Sequence, residues 1–157
     1  YFLASDAFKK GVQMALNAYI ASFPDSPFIE DAYFTMIVHY ADNEQREKEL
    51  QVYKKMLDQL PDNPGVLNSY AWRMAEIEIN LEDALVKAKR AVELSADDPN
   101  SQANIIDTEA EVLWKLKRFD EAINAIEKSI VIDGENQYFK DQKEKFIQSK
   151  REASQPV

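Results

Sequence analysis

The sequence predicts an all-α fold of about eight helices stacked in pairs, a solenoid, and three observations lead there. Apolar residues recur at intervals of three and four almost from end to end, the period of amphipathic helices. Glycine occurs only at Gly11, Gly65 and Gly134, and no stretch alternates as a strand would. The third observation is an echo, PDSP at 24–27, PDNP at 61–64 and ADDP at 96–99. Pro61 follows Pro24 by 37 residues, and Ala96 follows Pro61 by 35. Periods of that size with two helices each belong to stacked repeats. A pair so short cannot bury both its apolar faces alone, so each pair uses its neighbours as core.

The elements follow from turn signals and apolar stripes. A first helix is expected over 4–22, ended by PDSP, and a second over 27–41, ended at Asp42 and Asn43. The third, 44–60, carries Leu50, Tyr53, Met56, Leu57 and Leu60 on one stripe. Asp and Asn cap helix starts through side-chain oxygens, and proline fits the first turn, where its missing N–H costs nothing. PDNP therefore reads as stop, cap and restart, and a fourth helix runs over 64–78. The fifth, 81–95, has Ala84, Leu85, Ala88, Ala91 and Val92 on its apolar side. The sixth, 99–116, is longer because about four extra residues follow Asp98. The seventh, 119–132, repeats the pattern with Ala122, Ile123, Ile126 and Ile130. The last, 136–151, offers Tyr138, Phe139, Phe146 and Ile147 to cover the preceding pair, with its lysines toward water, as the end of a stack requires. Residues 152–157 are expected as a disordered tail.

The segment NSYAWRMAEIEINLEDALVKAKRAVELSADDP, 68–99, resembles the tetratricopeptide repeat, whose unit of about 34 residues has small side chains where its two helices touch and a proline at its exit. Ala71 matches the small residue of the first helix, Ala84 the alanine opening the second, and Ala91 the alanine near its end. The copy at 106–134 supplies Ala110, Ala122 and Ser129 in those roles. The copy from Asp31 to Pro61 departs, with Glu49 where alanine is expected and Ile37 or Val38 where a small residue is usual. Small side chains let helix axes approach closely. The resemblance implies a right-handed α-α superhelix forming one domain over 1–157. Its parts would be a partial repeat at 1–23 that supplies a second helix only, repeats at 27–61, 64–98 and 99–134, and a capping helix. The stretch FPDSPFIEDAYF, 23–34, is also similar to repeats of bacterial envelope lipoproteins and periplasmic proteins, which points to a bacterial source.

With 157 residues, 45% of them hydrophobic, the chain suits one domain with a core. It opens on Tyr1 in mid-helix and is expected to belong to something longer. The balance of 28 acidic against 19 basic residues, net −9, disfavours a nucleic-acid backbone or an anionic membrane as partner. The longest mostly apolar stretch, AYFTMIVHYA at 32–41, falls short of the about 20 residues that cross a bilayer, so no membrane insertion is expected. There is no cysteine, which removes disulfides and thiolate metal sites and leaves cytoplasm and periplasm equally open. His39 is the sole histidine and reads as a packed or surface residue. Three scattered glycines form no phosphate loop. The carboxylates Glu76, Glu78, Asp97 and Asp98 read as caps or solvated charge. No catalytic residue, cofactor or metal site is assigned.

In the resembling family the first helix of each pair lines a concave surface where partners bind. Carried over, the exposed groove positions are Asn68, Ser69, Trp72 and Glu76 in one repeat and Asp107, Thr108, Glu111, Trp114 and Lys115 in the next, with Phe34 and Val38 continuing toward the N-terminus. Each tryptophan reads either as an anchor for a bound peptide or as filling between helices. Glu76, Asp107 and Glu111 favour a neutral or basic ligand, and a clamp for acidic tails lacks its lysines and arginines. The expected role is a non-catalytic scaffold that holds a protein or peptide. The alternative is a helical accessory domain of a larger enzyme, such as a bacterial thioredoxin-like oxidoreductase. Residues 1–3 and the open side of the first helix are expected to favour self-association.

Overall fold

The computed structural model describes residues 2–155, with side chains from Lys10 onward. These residues form eight α-helices and no strand: α1 Phe2–Ser22, α2 Ile29–Asp42, α3 Arg46–Gln59, α4 Pro64–Ile77, α5 Leu81–Leu94, α6 Pro99–Lys115, α7 Phe119–Ile132 and α8 Gln137–Ala153. Every helix starts and stops within two residues of the range its turn signals mark. One extension is a correction: Glu152 and Ala153, expected in a tail, continue α8. There Gln148 donates to Glu152 Oε1 at 2.8 Å one turn on, and the Ser154 hydroxyl closes on the Lys150 carbonyl at 2.9 Å. Tyr1 and the side chains of Phe2 and Leu3, on which the expected self-association partly rests, lie outside the described residues.

Three of the turns between pairs work as the sequence chemistry demands, whereas PDSP departs: α2 starts at Ile29 with no side-chain cap, Pro27 stays outside its first turn, and Ser26 Oγ accepts instead from the Phe28 N–H at 3.2 Å. Asn63 accepts a hydrogen bond from the Val66 N–H at 3.1 Å, with Pro64 in the first helical turn. Asp98 does the same for Ser101, ahead of Pro99, and Asn136 accepts from the Tyr138 N–H. The turns inside pairs use a different device that no glycine marks. Glu44, Glu78 and Lys117 each adopt a left-handed backbone, with φ of 55°, 55° and 61°. The next N–H then reaches back five residues, Gln45 to the Tyr40 carbonyl, Ile79 to Met74 and Arg118 to Leu113. That is the Schellman helix stop, which satisfies carbonyls a helix end leaves open. It recurs once per pair.

The chain divides into two units, Tyr1–Pro61 and Asp62–Val157. In the first, α2 and α3 pack as a hairpin and α1 lies against α2. Its core is built from Ile29, Tyr33, Met36, Tyr53 and Met56. Gln59 ties the end of α3 to the PDSP turn, accepting from the Tyr33 hydroxyl at 2.7 Å and donating to the Pro24 carbonyl at 2.7 Å. Glu49, standing where alanine was expected, is fully buried and pairs with Arg46 at 2.6 Å.

In the second unit α4 and α5 form a pair, α6 packs on both, α7 packs on α6, and α8 packs on α7. The small residues sit where helices meet: Ala71, Ala84, Ala91, Ala110, Ala122 and Ser129 are all 0% exposed. Ser129 is accommodated because its hydroxyl donates to the Ala103 carbonyl at 2.8 Å across the α6–α7 contact. A buried hydroxyl without that acceptor would cost on the order of 1–3 kcal/mol.

Candidate functional site

Residues four apart share one side of a helix, so Asn68, Trp72 and Glu76 form a line along α4. Asn68 and Trp72 are half-buried and Glu76 is exposed, pairing with Arg73 at 3.0 Å. Ser69, beside this line, is half-buried too. The Trp72 indole N–H has no hydrogen-bond partner among the described residues. In the first unit Phe34 is half-buried and Val38 is 56% exposed, one turn apart on α2.

The residues expected on α6 are arranged differently. Asp107, Thr108 and Glu111, expected as exposed groove positions, are buried at 6%, 3% and 9% exposure. For Asp107 and Glu111 the reason is α8, whose side chains reach across to α6. The Tyr138 hydroxyl donates to Asp107 Oδ2 at 3.2 Å, and Lys145 pairs with Glu111 at 2.5 Å. Trp114 donates its indole N–H to the Ser149 hydroxyl at 2.9 Å and packs on Phe146 with ring centroids 6.1 Å apart. Lys145 also lies over the Trp114 ring at 4.3 Å, so this lysine is only half-exposed, where its helix-surface pattern suggested that it faces water. Lys115 pairs with Glu78 at 2.8 Å. Trp114 is thus held between helices, whereas Trp72 keeps a free donor.

Burial pushes the Asp107 carboxyl up to about 6, with Glu111 on its own helix adding to the rise. The Tyr138 hydrogen bond and Lys145 oppose it. Asp107 Oδ1 is sealed from solvent with no partner, and so is Asn68 Oδ1. The two residues are counterparts, each three places before the small residue of its helix, Ala110 and Ala71.

Beside Asn68 a cleft of about 460 Å³ opens between the start of α4, the end of α5 and the start of α6. Pro64, Leu94 and Ile105 give it apolar wall, and Asp97, Ser101 and Asn104 give it polar rim. Only Asn68 of these was expected at a binding surface. The signal for the rest lay in the echoed turns, since PDNP and ADDP begin α4 and α6 and bring both starts to one place.

Among the described residues no group of three or more His, Asp or Glu is placed to hold a metal ion, and no helix is long and apolar enough to cross a membrane. His39 stacks edge-on against Tyr40, with centroids 5.5 Å apart. No family model matches the chain. No curated protein matches it either.

Proposed function

We propose that the chain is a non-catalytic scaffold of tetratricopeptide-repeat type, a right-handed superhelix of helix pairs that holds a neutral or basic peptide or protein surface along α4. What supports the repeat reading is the agreement of spacing with burial. Six small side chains, placed by the period, are all fully buried at helix contacts. What carries the binding reading is Trp72, half-buried, with its indole N–H unpartnered and flanked one turn on either side by Asn68 and Glu76. An amphipathic ring with an unused donor is the kind of anchor that dominates interface energetics. The share of binding assigned to α6 shrinks accordingly, because α8 engages Asp107, Glu111 and Trp114.

The test is a comparison of two tryptophan variants in the full-length protein, against whichever partner co-purifies with it. Trp72→Ala is expected to weaken that complex by about 2 kcal/mol or more while melting within a degree or two of the parent. Trp114→Ala is expected to destabilise the fold by about 2–4 kcal/mol, because it removes packing on Phe146 and leaves Ser149 without its donor. Undiminished binding by Trp72→Ala would remove the surface proposed for α4.

A further inference from the structure

One bond of the chain is set up to rearrange by its own chemistry. An aspartate cyclises when the main-chain nitrogen of the next residue attacks its side-chain carboxyl carbon, and glycine, having no Cβ, leaves that nitrogen unshielded. Asp133–Gly134 is the sole Asp–Gly or Asn–Gly pair in the sequence. Both residues are exposed in the turn between α7 and α8. The Gly134 N–H makes no hydrogen bond among the described residues, so the nucleophile is free. Asp25–Ser26 is the only other place outside the helices where Asp or Asn precedes glycine or serine, and there the Ser26 N–H is tied to the Phe23 carbonyl at 3.1 Å.

The turn meanwhile holds the reacting groups apart. With ψ of 78° at Asp133, the Gly134 nitrogen lies on the far side of the Cα–C bond from Cβ, so ring closure requires that bond to rotate. Asn136 opposes the rotation twice: its N–H donates to the Asp133 carbonyl at 3.3 Å, and its Nδ2 donates to Asp133 Oδ2 at 3.1 Å. One bond fixes the peptide plane and the other the carboxylate. Both lie in an exposed turn, where local opening costs little.

We propose that Asp133–Gly134 is a modification site, at which Asp133 cyclises to a succinimide and reopens as isoaspartate, with Asn136 restraining the rate. In the first step the Gly134 nitrogen bonds to Asp133 Cγ and gives up its proton, the Cγ–OH bond breaks, and one water leaves. In the second a water adds to the former main-chain carbonyl carbon, its hydroxyl going to that carbon and its proton to the nitrogen as the bond between them breaks. No other reactant is required. The main chain then runs through Cβ and Cγ, one atom longer, and the old carbonyl carbon is left as a free carboxylate. The residue that loses its acceptors is Asn136, whose Oδ1 takes the Tyr138 N–H at 3.1 Å at the start of α8. Modification therefore acts on the joint that starts α8, independently of the surface on α4.

The experiment incubates the whole 157-residue chain under native conditions near neutral pH and follows tryptic peptide 129–140 by electron-transfer mass spectrometry, which separates isoaspartate from aspartate. A synthetic peptide of the same residues gives the rate without the fold. Isoaspartate is expected to accumulate at 133 ahead of every other aspartate in the chain, and more slowly than in the free peptide. Asn136→Ala should speed it by about threefold to tenfold in the chain, the worth of one ordinary hydrogen bond, and leave the peptide's rate unchanged. Gly134→Ala, whose added Cβ stands 3.3 Å from the Ile130 carbonyl oxygen, should suppress it in both.

Absence of isoaspartate at 133 from the intact chain would overturn the proposal, and the free peptide would show whether the fold or the local chemistry prevents it. Faster accumulation at Asp25 would overturn the choice of site by its free N–H. An Asn136→Ala chain that modifies at the parent's rate would remove Asn136 as the restraint.

Discussion

Asp107 is a carboxylate that the fold holds at a disadvantage. An ordinary aspartate loses its proton near pH 4, but burial raises Asp107 to about 6, so its ionised form is worse off folded than unfolded. The sign follows: stability is fullest below the unfolded value and declines as pH rises through about 6. A carboxyl raised from near 4 to about 6 bounds the penalty at about 3 kcal/mol. Asn68, its counterpart two helices earlier, shows the uncharged solution in the same chain. Asp107→Asn is therefore expected to raise the unfolding free energy by about 1–3 kcal/mol at pH 7.5, and to lose about two thirds of that advantage at pH 4.5. Denaturant titrations of both proteins at the two pH values decide it. A variant equally stable at pH 7.5 would mean that the carboxylate pairs with Tyr138 and Lys145 without penalty.

Helix stops carry a comparable, opposite lesson. Lys117 is exposed and has φ of 61°, a conformation that glycine adopts freely and that costs other L-residues about 1–2 kcal/mol. Lys117→Gly is expected to raise stability by about 0.5–1 kcal/mol, the strain relieved less the extra freedom gained by the unfolded chain. Chemical denaturation measures it, and a loss of stability would show that Lys117 helps hold the α6–α7 turn through contacts of its own. This stop was illegible from sequence because glycine, its usual marker, stands at none of its three copies. The outer turns were legible, since Asn63, Asp98 and Asn136 cap by side-chain chemistry that reads directly from residue type. So was the register of small residues, because volume at a helix contact is a local property repeated at a fixed interval. Ala91 tests it: Ala91→Arg would force a charge into a site 0% exposed and should cost on the order of 3–5 kcal/mol. A melting temperature close to the parent's would overturn the register. The α6 half of the candidate surface was misread because the resemblance fixed which way Asp107 and Glu111 point but not what lies over them. Tyr138 and Lys145 approach from more than 30 residues away, a pairing that no local pattern announces.

Each of the two units has its own core, and their resources are unequal. In Tyr1–Pro61 none of the α1 side chains described is fully buried, so its core comes mainly from α2 and α3, and α3 puts the charged Glu49 at the position where the second unit has Ala84 and Ala122. In Asp62–Val157 five helices pack in succession around fully buried Met74, Val112, Ile126, Phe139 and Phe146. Stacked helical units draw stability from intrinsic and nearest-neighbour contributions, so unequal units need not melt together. Both tryptophans, Trp72 and Trp114, lie in the second unit, whereas helicity reports on both. The helices α1, α2 and α3 contribute 21, 14 and 14 residues, roughly two helical residues in every five. Far-UV circular dichroism is therefore expected to begin its loss at lower urea than tryptophan fluorescence, with an early step carrying about that share of the signal. Coincident transitions by the two probes, the mark of a single cooperative system, would show instead that the first unit is stabilised to the level of the second. The order of melting bears on the interaction surface as well: α4 belongs to the unit expected to persist, so binding there should survive urea concentrations that already unfold α1 to α3.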